Sequence, residues 1–421
     1  MKNVIKYPIE NGVNLYYIPA TRFKTVDVEI SFYMPLTVEN ASMNALIAPV
    51  LKSGTQSYPT AKLLNKRLEE LYGASLSASA AKQGEASVMQ FAMQYVNPRY
   101  LNEDIGEDCI KLLCDVMCNP FTEDGCFKKD YFELERKNLI DSIEALVNDK
   151  KSYAAWRCKE EMCKNEPYGV YSQGSIDVIN SITPEKAYEF YKTRIPGSKC
   201  DIFICGEVDI DKVFAIFKKN IPEAATDEYP ASTVISDVSE VKNITEELDV
   251  EQGKLSLGFR TGVAPNSKDY YALAMFNRIF GGTAVSKLFN NVREKLSLAY
   301  YVSSSIERYK GIMTINSGIE IPTFQAAYDE IMVQLDAMKS GDFSDEEYSA
   351  ALASAVNSIG QIADNPRHII RYYEGQLPAG TYEDPEEYLE KLKAVTREDI
   401  ISVANKIKLD TVYFLRNKEA E

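Results

Sequence analysis

Histidine and cysteine are the side chains of this sequence that could ligate a transition metal. The 421 residues contain one histidine, His368, and eight cysteines, all of which lie in the first half. A zinc site that needs two histidines cannot be built from this chain, and a mixed site is disfavoured because His368 lies in the second half. The cysteines form no C-x-x-C pair. We expect free thiols that pack as small apolar residues in a reducing compartment.

The composition predicts an acidic protein of more than one domain. Apolar residues make up 45%, charged residues 26%, and the formal net charge is −15. An acidic surface repels phosphate and anionic lipid, so we expect no nucleic-acid or membrane partner, whereas a cationic peptide would be attracted. Residues 1–19 lack the apolar core of a secretory signal, and no window approaches the roughly 20 apolar residues of a membrane span. We expect a cytoplasmic location.

Several stretches of the first half recur in the second. Residues 31–54 resemble residues 258–282, and "ALVNDKKSYAAWR" (145–157) resembles "QIADNPRHIIRYY" (361–373). A period of roughly half the chain indicates duplicated domains rather than a solenoid. We predict one domain over 1–222, a polar linker over 223–247 that contains Pro230, and a second domain over 248–421.

The elements of each half repeat in the same order. Apolar residues alternate with Asp27, Glu29 and Ser31 over residues 26–32, which predicts a half-buried strand. A helix follows the cap residue Thr60, and the second half repeats the pattern with a strand near 255–259 and a helix over 284–296. Mixed strands and long helices predict the α+β class. We expect two homologous α+β sandwich domains, each an antiparallel-rich sheet with helices packed on one face.

With these elements in place, the sequence resembles the insulinase/pitrilysin family of zinc metallopeptidases, in the half-length form of mitochondrial processing peptidase subunits. The resemblance covers nearly the whole chain. It is specific in "NALIAPVLKSGTQSYPTAKLLNKRLEELYGASLSASA" (44–80) and in "FGGTAVSKLFNNVREKLSLAYYVSSSI" (280–306). It implies two α+β domains per chain, with two such chains or halves closing around a chamber.

The chain departs from this family at the metal site. Active members carry H-x-x-E-H on the first helix and a further glutamate, which together hold zinc and activate water. Here the window 48–54 has neither histidine nor glutamate, and Ser142 stands where the remote glutamate is expected. The resemblance therefore implies a non-catalytic member. Pro49 predicts disturbed helical geometry in this window. We expect the longer stretch 44–60 to be kept for the packing of its apolar residues Leu46, Ile47, Val50 and Leu51.

The same resemblance assigns a role to Arg293 and Tyr300 in "NVREKLSLAYYV" (291–302). They match the family pattern R-x-x-x-x-x-x-Y, whose residues reach across the chamber to a substrate at the other half's zinc. A guanidinium and a phenol can donate hydrogen bonds to a tetrahedral oxyanion or orient the scissile peptide. The alternative is that Arg293 is a helix-surface cation and that Tyr300 and Tyr301 pack in a strand. Only one of two adjacent strand residues can face the chamber.

Gly281 and Gly282 form a further match in "FGGT" (280–283). Two glycines before a helix would bring the backbone close to a ligand and leave N–H groups free, so we assign both, with Tyr301, to substrate binding. An ordinary turn is the alternative. The G-x-G-x-x-G and G-K-S/T contexts of nucleotide loops are absent.

These observations leave two functional hypotheses of different classes. The first is a non-catalytic subunit of a heterodimeric zinc endopeptidase, whose partner carries H-x-x-E-H and the zinc, while this chain holds no cofactor. The second is a catalytically inert homodimer that binds peptides as a scaffold. An active homodimeric peptidase is disfavoured by the single histidine.

Overall fold

The computed structural model describes residues 3–10, 12–221 and 224–418, which form two compact units. Unit 1 comprises Met1–Glu144, Val170–Ala231 and Ile362–Pro378, and unit 2 comprises Ala145–Gly169, Ser232–Gln361 and Ala379–Glu421. Each unit therefore includes a segment from the opposite half of the sequence. The predicted boundary between residues 222 and 223 lies outside the described residues.

The strands and helices are numbered in chain order. The strands are β1 Ile5–Glu10, β2 Val13–Pro19, β3 Thr25–Pro35, β4 Ser75–Gln83, β5 Ala86–Val96, β6 Thr122–Glu123, β7 Cys126–Phe127, β8 Lys199–Gly206, β9 Lys242–Glu247, β10 Gly253–Arg260, β11 Tyr301–Glu307, β12 Ile312–Ile319 and β13 Lys408–Arg416. The helices are α1 Val38–Lys52, α2 Ala61–Glu70, α3 Gly106–Cys118, α4 Lys129–Glu144, α5 Lys150–Met162, α6 Ile176–Ser181, α7 Pro184–Arg194, α8 Ile210–Asn220, α9 Asp269–Phe280, α10 Phe324–Ser340, α11 Asp345–Ile362, α12 Pro366–Glu374, α13 Pro385–Lys393 and α14 Arg397–Ala404.

Unit 1 is built on a sheet with the strand order β1-β2-β8-β3-β5-β4. The β2–β8 pair is parallel and the other pairs are antiparallel. Val28, Ile30 and Phe32 of β3 point into a core that α1, α3 and α7 help to fill. This side of the sheet carries most of the apolar burial of the unit, which places α1 firmly against it.

The opposite face of this sheet is also covered, so the expectation of a half-buried β3 is wrong. Asp27, Glu29 and Ser31 are buried as deeply as their apolar neighbours. The cover is α12, which comes from the second half of the sequence and packs Ile370 and Tyr373 into a cluster with residues of β2 and β8. A polar alternation normally indicates exposure to water, but here a helix from far along the chain replaces the water.

Unit 2 repeats this plan on a sheet with the order β11-β12-β10-β13-β9, in which β13 and β9 are parallel. Strand β9 is the end of the predicted linker. One face packs against α9, α10 and α14, and the other is covered by α5, which comes from the first half. Gly258 permits the close approach, since a Cβ there would lie 2.7 Å from Met162 Sδ. The antiparallel-rich α+β architecture predicted from the sequence is confirmed.

The cysteines behave as the sequence predicts. All eight are free, and Cys109, Cys114 and six others lie buried or half-buried within the units. Burial raises the pKa of the Cys109 thiol to about 12, so it stays protonated and packs as a small apolar group. Within the described ranges, no helix has the length and apolarity needed to cross a bilayer.

Candidate functional site

Helix α1 occupies the place where the family resemblance puts the metal ligands. Thr37 caps it by accepting the Asn40 N–H at 3.0 Å. The helix runs through Pro49 to Lys52, so the expected disturbance does not break it. Burial of Leu46, Leu51 and their neighbours outweighs the hydrogen bond that Pro49 cannot donate. The prediction that these apolar residues serve packing is confirmed.

Helix α4, which was expected to supply the remote glutamate, lies beside α1 in unit 1. Ser53 Oγ lies 3.5 Å from Glu135 Oε1, and Ser142 Oγ donates to the Leu139 carbonyl at 2.8 Å. Among the residues that the structure describes, no three His, Cys, Asp or Glu side chains are grouped to hold a metal ion. His368 lies exposed on α12. The side chains at the α1–α4 position therefore do not fit a zinc ion.

Arg293 lies on an irregular helix of unit 2. Leu288–Lys295 forms a π-helix, whose buried residues are Leu288 and Val292. The Arg293 side chain is 43% exposed, with its guanidinium 4.8 Å from the Phe289 ring and its Nε 3.4 Å from Glu294 Oε1. These are weak, solvent-accessible contacts, so the guanidinium can turn toward a ligand at little cost.

A second irregularity separates Arg293 from Tyr300. Ser297 has a φ of 52°, a left-handed conformation that non-glycine residues rarely adopt. Tyr300 follows, 52% exposed, one residue before β11. Its N–H donates to the Gly318 carbonyl at 2.8 Å, and its hydroxyl donates to the Glu320 carboxylate, which raises the pKa of Tyr300. The phenol is thus a protonated donor at neutral pH.

Tyr301 differs from Tyr300 in its surroundings. It begins β11 opposite Gly318, and its half-buried ring lies 4.5 Å from Lys151 Nζ. Burial, with a smaller contribution from Asp149, raises the pKa of Tyr301 to about 12. Of the two tyrosines, Tyr300 therefore presents the more accessible ring and hydroxyl.

Gly281 and Gly282 end α9 rather than forming an open loop. Both N–H groups donate to the Asn277 carbonyl, at 3.0 and 2.7 Å, so the expectation of free N–H groups is wrong. A Cβ on Gly281 would lie 2.7 Å from Leu288 Cδ1. The glycines let the π-helix and β11 pack closely against the end of α9, which fixes where the Arg293–Tyr300 segment begins.

Two strand edges were not singled out from the sequence. Strand β4 is the last strand of the unit 1 sheet, and β11 is the last strand of the unit 2 sheet. β4 reads "SLSASAAKQ", with small side chains that are mostly exposed or half-buried, and it lies next to α1. An edge of this kind can pair with an extended peptide. Its sequence signal was weak because the stretch lacks β-branched residues.

The comparisons with known proteins agree with this geometry. A family profile described as "Peptidase M16 inactive domain" matches residues 181–354. The chain is 37% identical to the "Probable inactive metalloprotease YmfF" of Bacillus subtilis strain 168, over 97% of this chain and 96% of that relative.

Solved structures extend the likeness to the fold. A conserved protein from Enterococcus faecalis V583 superposes with a TM-score of 0.90 at 28% identity, covering 100% of both chains. A peptidase M16 inactive domain from Pseudomonas fluorescens superposes with a TM-score of 0.80, over 100% of this chain and 99% of that one. At 16% identity, this likeness shows a shared fold and nothing further.

Proposed function

Because this chain belongs to the peptidase M16 (insulinase/pitrilysin) family as an inactive metalloprotease homologue, we propose that it is the non-catalytic subunit of a heterodimeric zinc endopeptidase. It forms half of a peptide-degrading or peptide-processing chamber with a paralogous subunit that carries H-x-x-E-H. Arg293 and Tyr300 act in trans on the substrate held at that subunit's zinc.

One observation carries this proposal. A π-helix and a left-handed Ser297 both fall within the segment that presents Arg293 and Tyr300. Such irregular backbone is less stable than a regular helix and strand, and it concentrates at functional sites. The two donors are exposed, whereas the window 48–54 has no metal ligand and the buried polar residues of α1, Ser42 and Asn44, hydrogen-bond within the unit. This pattern supports a chain that has lost metal binding and retains substrate contacts.

Arg293 and Tyr300 would each supply one interaction with the substrate at the partner's zinc. The partner's zinc would act as a Lewis acid on the scissile carbonyl. Arg293 would hold a fixed positive charge beside the substrate, and Tyr300 would exchange its bond to Glu320 for one to the carbonyl oxygen. Donors aimed at developing negative charge stabilise a transition state more than a ground state.

Peptide binding would rest on main-chain pairing. An extended substrate that adds to an edge such as β4 gains backbone hydrogen bonds with loose sequence preference. The net charge of −15 favours cationic peptides. Free thiols suit a reducing compartment, which supports a cytoplasmic location.

The test combines association with kinetics. The chain should co-purify with an H-x-x-E-H paralogue from the same genome. In that complex, Arg293→Ala or Tyr300→Phe should lower kcat by about 10²–10³. Lys295→Ala and Tyr382→Phe are matched controls, since they alter an exposed cation and an exposed tyrosine of the same unit. Failure to associate, or equal rates for Arg293→Ala and Lys295→Ala, would refute the proposal.

A second candidate is the inert homodimeric peptide-binding scaffold. Hydrogen bonds within the chain favour it, because the site residues already have partners. Tyr300 donates to Glu320, and the N–H groups of Gly281 and Gly282 donate to the Asn277 carbonyl. A scaffold would form a stable homodimer, bind peptide and ignore the paralogue. Sedimentation of the chain alone and mixed with the paralogue distinguishes the two candidates.

A further inference from the structure

The π-helix Leu288–Lys295 changes its hydrogen-bonding pattern along its length. At its start, the Asn290 N–H donates to the Ser286 carbonyl at 2.9 Å, which is the bond to residue i−4 of an α-helix. At its end, the Leu296 N–H donates to the Asn291 carbonyl at 3.1 Å, which is the bond to residue i−5 of a π-helix. Asn291 therefore lies in the turn that accommodates the extra residue.

A π-helical turn needs support from outside its own backbone. Such turns are rare and short, and relaxing one of them to the α-helical form shifts the register by one residue. One residue of an α-helix corresponds to a rotation of about 100°. A shift beyond Asn291 would rotate Arg293 together with the buried Val292, so that Val292 would leave the core and the guanidinium would point elsewhere.

The support comes from a chain of side-chain hydrogen bonds that ends on α10. Asn291 Nδ2 donates to the Lys287 carbonyl at 3.0 Å and to Gln334 Oε1 at 3.1 Å. Gln334 Nε2 in turn donates to Glu330 Oε1 at 2.7 Å. Because a carboxylate only accepts, this last bond fixes which way the Gln334 amide faces and leaves its oxygen for Asn291.

Gln334 occupies a position where packing alone favours an apolar residue. It is 8% exposed and lies on the face of α10 that also buries Ile331 and Leu335. A buried amide costs free energy unless its polar atoms are hydrogen-bonded, and both ends of this amide are. The hydrogen bond that Gln334 accepts from Asn291 gives the amide a purpose at this position.

The start of the π-helix is fixed by a separate contact. Lys287 Nζ lies 3.3 Å from Glu347 Oε1 of α11, and the lysine side chain is 9% exposed. The segment is thus held to α11 where it begins, and the contact between Asn291 and Gln334 holds to α10 the turn that precedes Arg293.

We propose that Asn291 and Gln334 are positioning residues for the substrate contact of Arg293. Their hydrogen bond keeps the segment in the π-helical register, in which Val292 enters the core and the Arg293 side chain stays 43% exposed. This role rests on the function proposed above, since Gln334 affects catalysis only through Arg293.

Steady-state kinetics of the complex with the H-x-x-E-H paralogue test this role. Gln334→Leu should lower kcat by about tenfold or more with little change in KM, because a displaced guanidinium is missed mainly in the transition state. In a chain that already carries Arg293→Ala, the same substitution should have no further effect on kcat. A role that does not pass through Arg293 would lower kcat by the same factor in both backgrounds.

Three further chains make the test specific. Gln325→Leu is the matched control, because Gln325 donates to Asp329 at 2.8 Å on the exposed face of the same helix, and its kcat should be normal. The double variant E330Q/Q334E should restore kcat, since it exchanges the two side chains and keeps an acceptor for Asn291. Asn291→Ala removes the donor instead and should match Gln334→Leu, so either variant that folds decides the test.

Hydrogen exchange of the chain alone gives a readout that does not depend on activity. The Leu296 amide, which closes the π-helical turn, should exchange about tenfold faster or more in Gln334→Leu, while the amides of β12 keep their protection. Unchanged exchange at Leu296 would overturn the proposed role.

The kinetic outcomes separate this role from the proposed function. If Arg293→Ala leaves kcat unchanged, the proposed function fails and the role of Gln334 fails with it. If Arg293→Ala lowers kcat but Gln334→Leu does not, or if the two effects multiply, the proposed function stands and the positioning role is overturned.

Discussion

Helix α12 covers one face of the unit 1 sheet, and helix α5 covers one face of the unit 2 sheet. The two interfaces are alike in packing, but they differ in the balance of their buried charges. Each helix covers the polar face of a sheet built by the other half of the sequence. Beneath α12 the buried carboxyl groups outnumber their cations. Beneath α5 each buried carboxylate meets at least one cation.

The α12 interface centres on Glu374. Its Oε1 accepts from Ser31 Oγ at 2.5 Å and from Tyr33 at 3.2 Å, and both donors are on β3. Burial, together with the nearby charge of Glu29, raises the pKa of Glu374 to about 8. Asp201 on β8, which pairs with Lys199, also acts to raise the pKa of this carboxyl group. The charges of Arg371, Arg367 and Asp27 act instead on the neighbouring Glu29. The interface therefore keeps Glu374 neutral at pH 7.

The α5 interface is built from ion pairs. Arg260 bridges Glu166 at 2.6 Å and Asp410 at 2.9 Å, while Lys310 contacts Glu166 at 2.8 Å. Burial acts to raise the pKa of Glu166, but hydrogen bonds from Arg260 and Lys310 outweigh it and lower the pKa. The two units thus share a helix-on-sheet arrangement, but one keeps its buried carboxyl group neutral by protonation and the other keeps its buried carboxylates ion-paired.

The largest effect is expected at the ion-paired interface. Arg260→Ala leaves two buried carboxylates without their shared cation, and should cost about 3–5 kcal/mol of unfolding free energy. Urea unfolding followed by Trp156 fluorescence reports on unit 2, since the only tryptophan of the chain lies on α5. Lys408→Ala, which removes an exposed ion pair with Asp237, should cost less than about 1 kcal/mol. Equal costs would show that the buried network does not stabilise unit 2.

Truncating the apolar contact of α12 comes next. Ile370→Ala should destabilise unit 1 by about 2–4 kcal/mol, because Ile370 is buried against the residues of β2 and β8. Hydrogen exchange of the β3 amides measures this loss. The control Leu134→Ala on α4 removes an exposed side chain of the same unit. If β3 protection is unchanged, α12 is not a stabilising part of unit 1.

The two interfaces should respond to pH in opposite directions. The folded-state pKa of Glu374 lies above its unfolded value of 4.5, so its contribution is complete below pH 4.5 and is lost as pH rises toward 8. The stability of unit 1 should fall by up to about 1.4 kcal/mol per pH unit in that window. The lowered pKa of Glu166 gives unit 2 the reverse trend, with stability lost as the solution becomes acidic.

The matched variant for this pH dependence is Glu374→Gln. It keeps the shape and an acceptor for Ser31 and removes the titrating group, so the slope of unit 1 between pH 5 and 8 should flatten. Hydrogen exchange of β3 at several pH values, corrected for intrinsic exchange, measures it. An unchanged slope would assign the titration to another group, such as Glu29, whose pKa burial also raises.

The smallest expected change in stability comes from removing one hydrogen bond, and it should differ between a charged and a neutral acceptor. The Tyr153 hydroxyl donates to the Glu246 carboxylate at 2.6 Å in unit 2, and the Tyr33 hydroxyl donates to neutral Glu374 in unit 1. Tyr153→Phe should cost about 1.5 kcal/mol and Tyr33→Phe about 0.5–1 kcal/mol, measured by denaturant unfolding. A reversed order would contradict the assignment of charge to the two interfaces.

Sequence reasoning reached the α+β class, the repeat and the loss of the metal ligands, but not the exchange of helices. The recurring stretches 145–157 and 361–373 contain α5 and α12, so the repeat marked the right elements. Helical periodicity shows that a helix has a buried face without showing which sheet it covers. For the same reason, the alternation around Asp27 and Glu29 predicts exposure to water, although α12 covers these residues.

At the candidate site, the sequence suggests Arg293 and Tyr300 through the family pattern, but it does not show the geometry of the backbone that carries them. The resemblance of residues 291–302 to the family pattern singles out Arg293 and Tyr300, yet the π-helix and left-handed Ser297 lack the glycine or proline signals that mark irregular backbone. The pair Gly281 and Gly282 predicts a turn, and the chain does turn there. Their N–H groups are occupied because α9 ends on them, and sequence alone did not show that end.

The proposed role of this chain is to complete another subunit's active site. Its most direct test is to titrate an H-x-x-E-H paralogue with this chain and measure the initial rate of hydrolysis of a fluorogenic cationic peptide. We expect the rate to rise and reach a plateau at one chain per paralogue, and the Arg293→Ala chain to reach the same stoichiometry with a far lower plateau. A rate that stays at the paralogue's own value throughout the titration would contradict it.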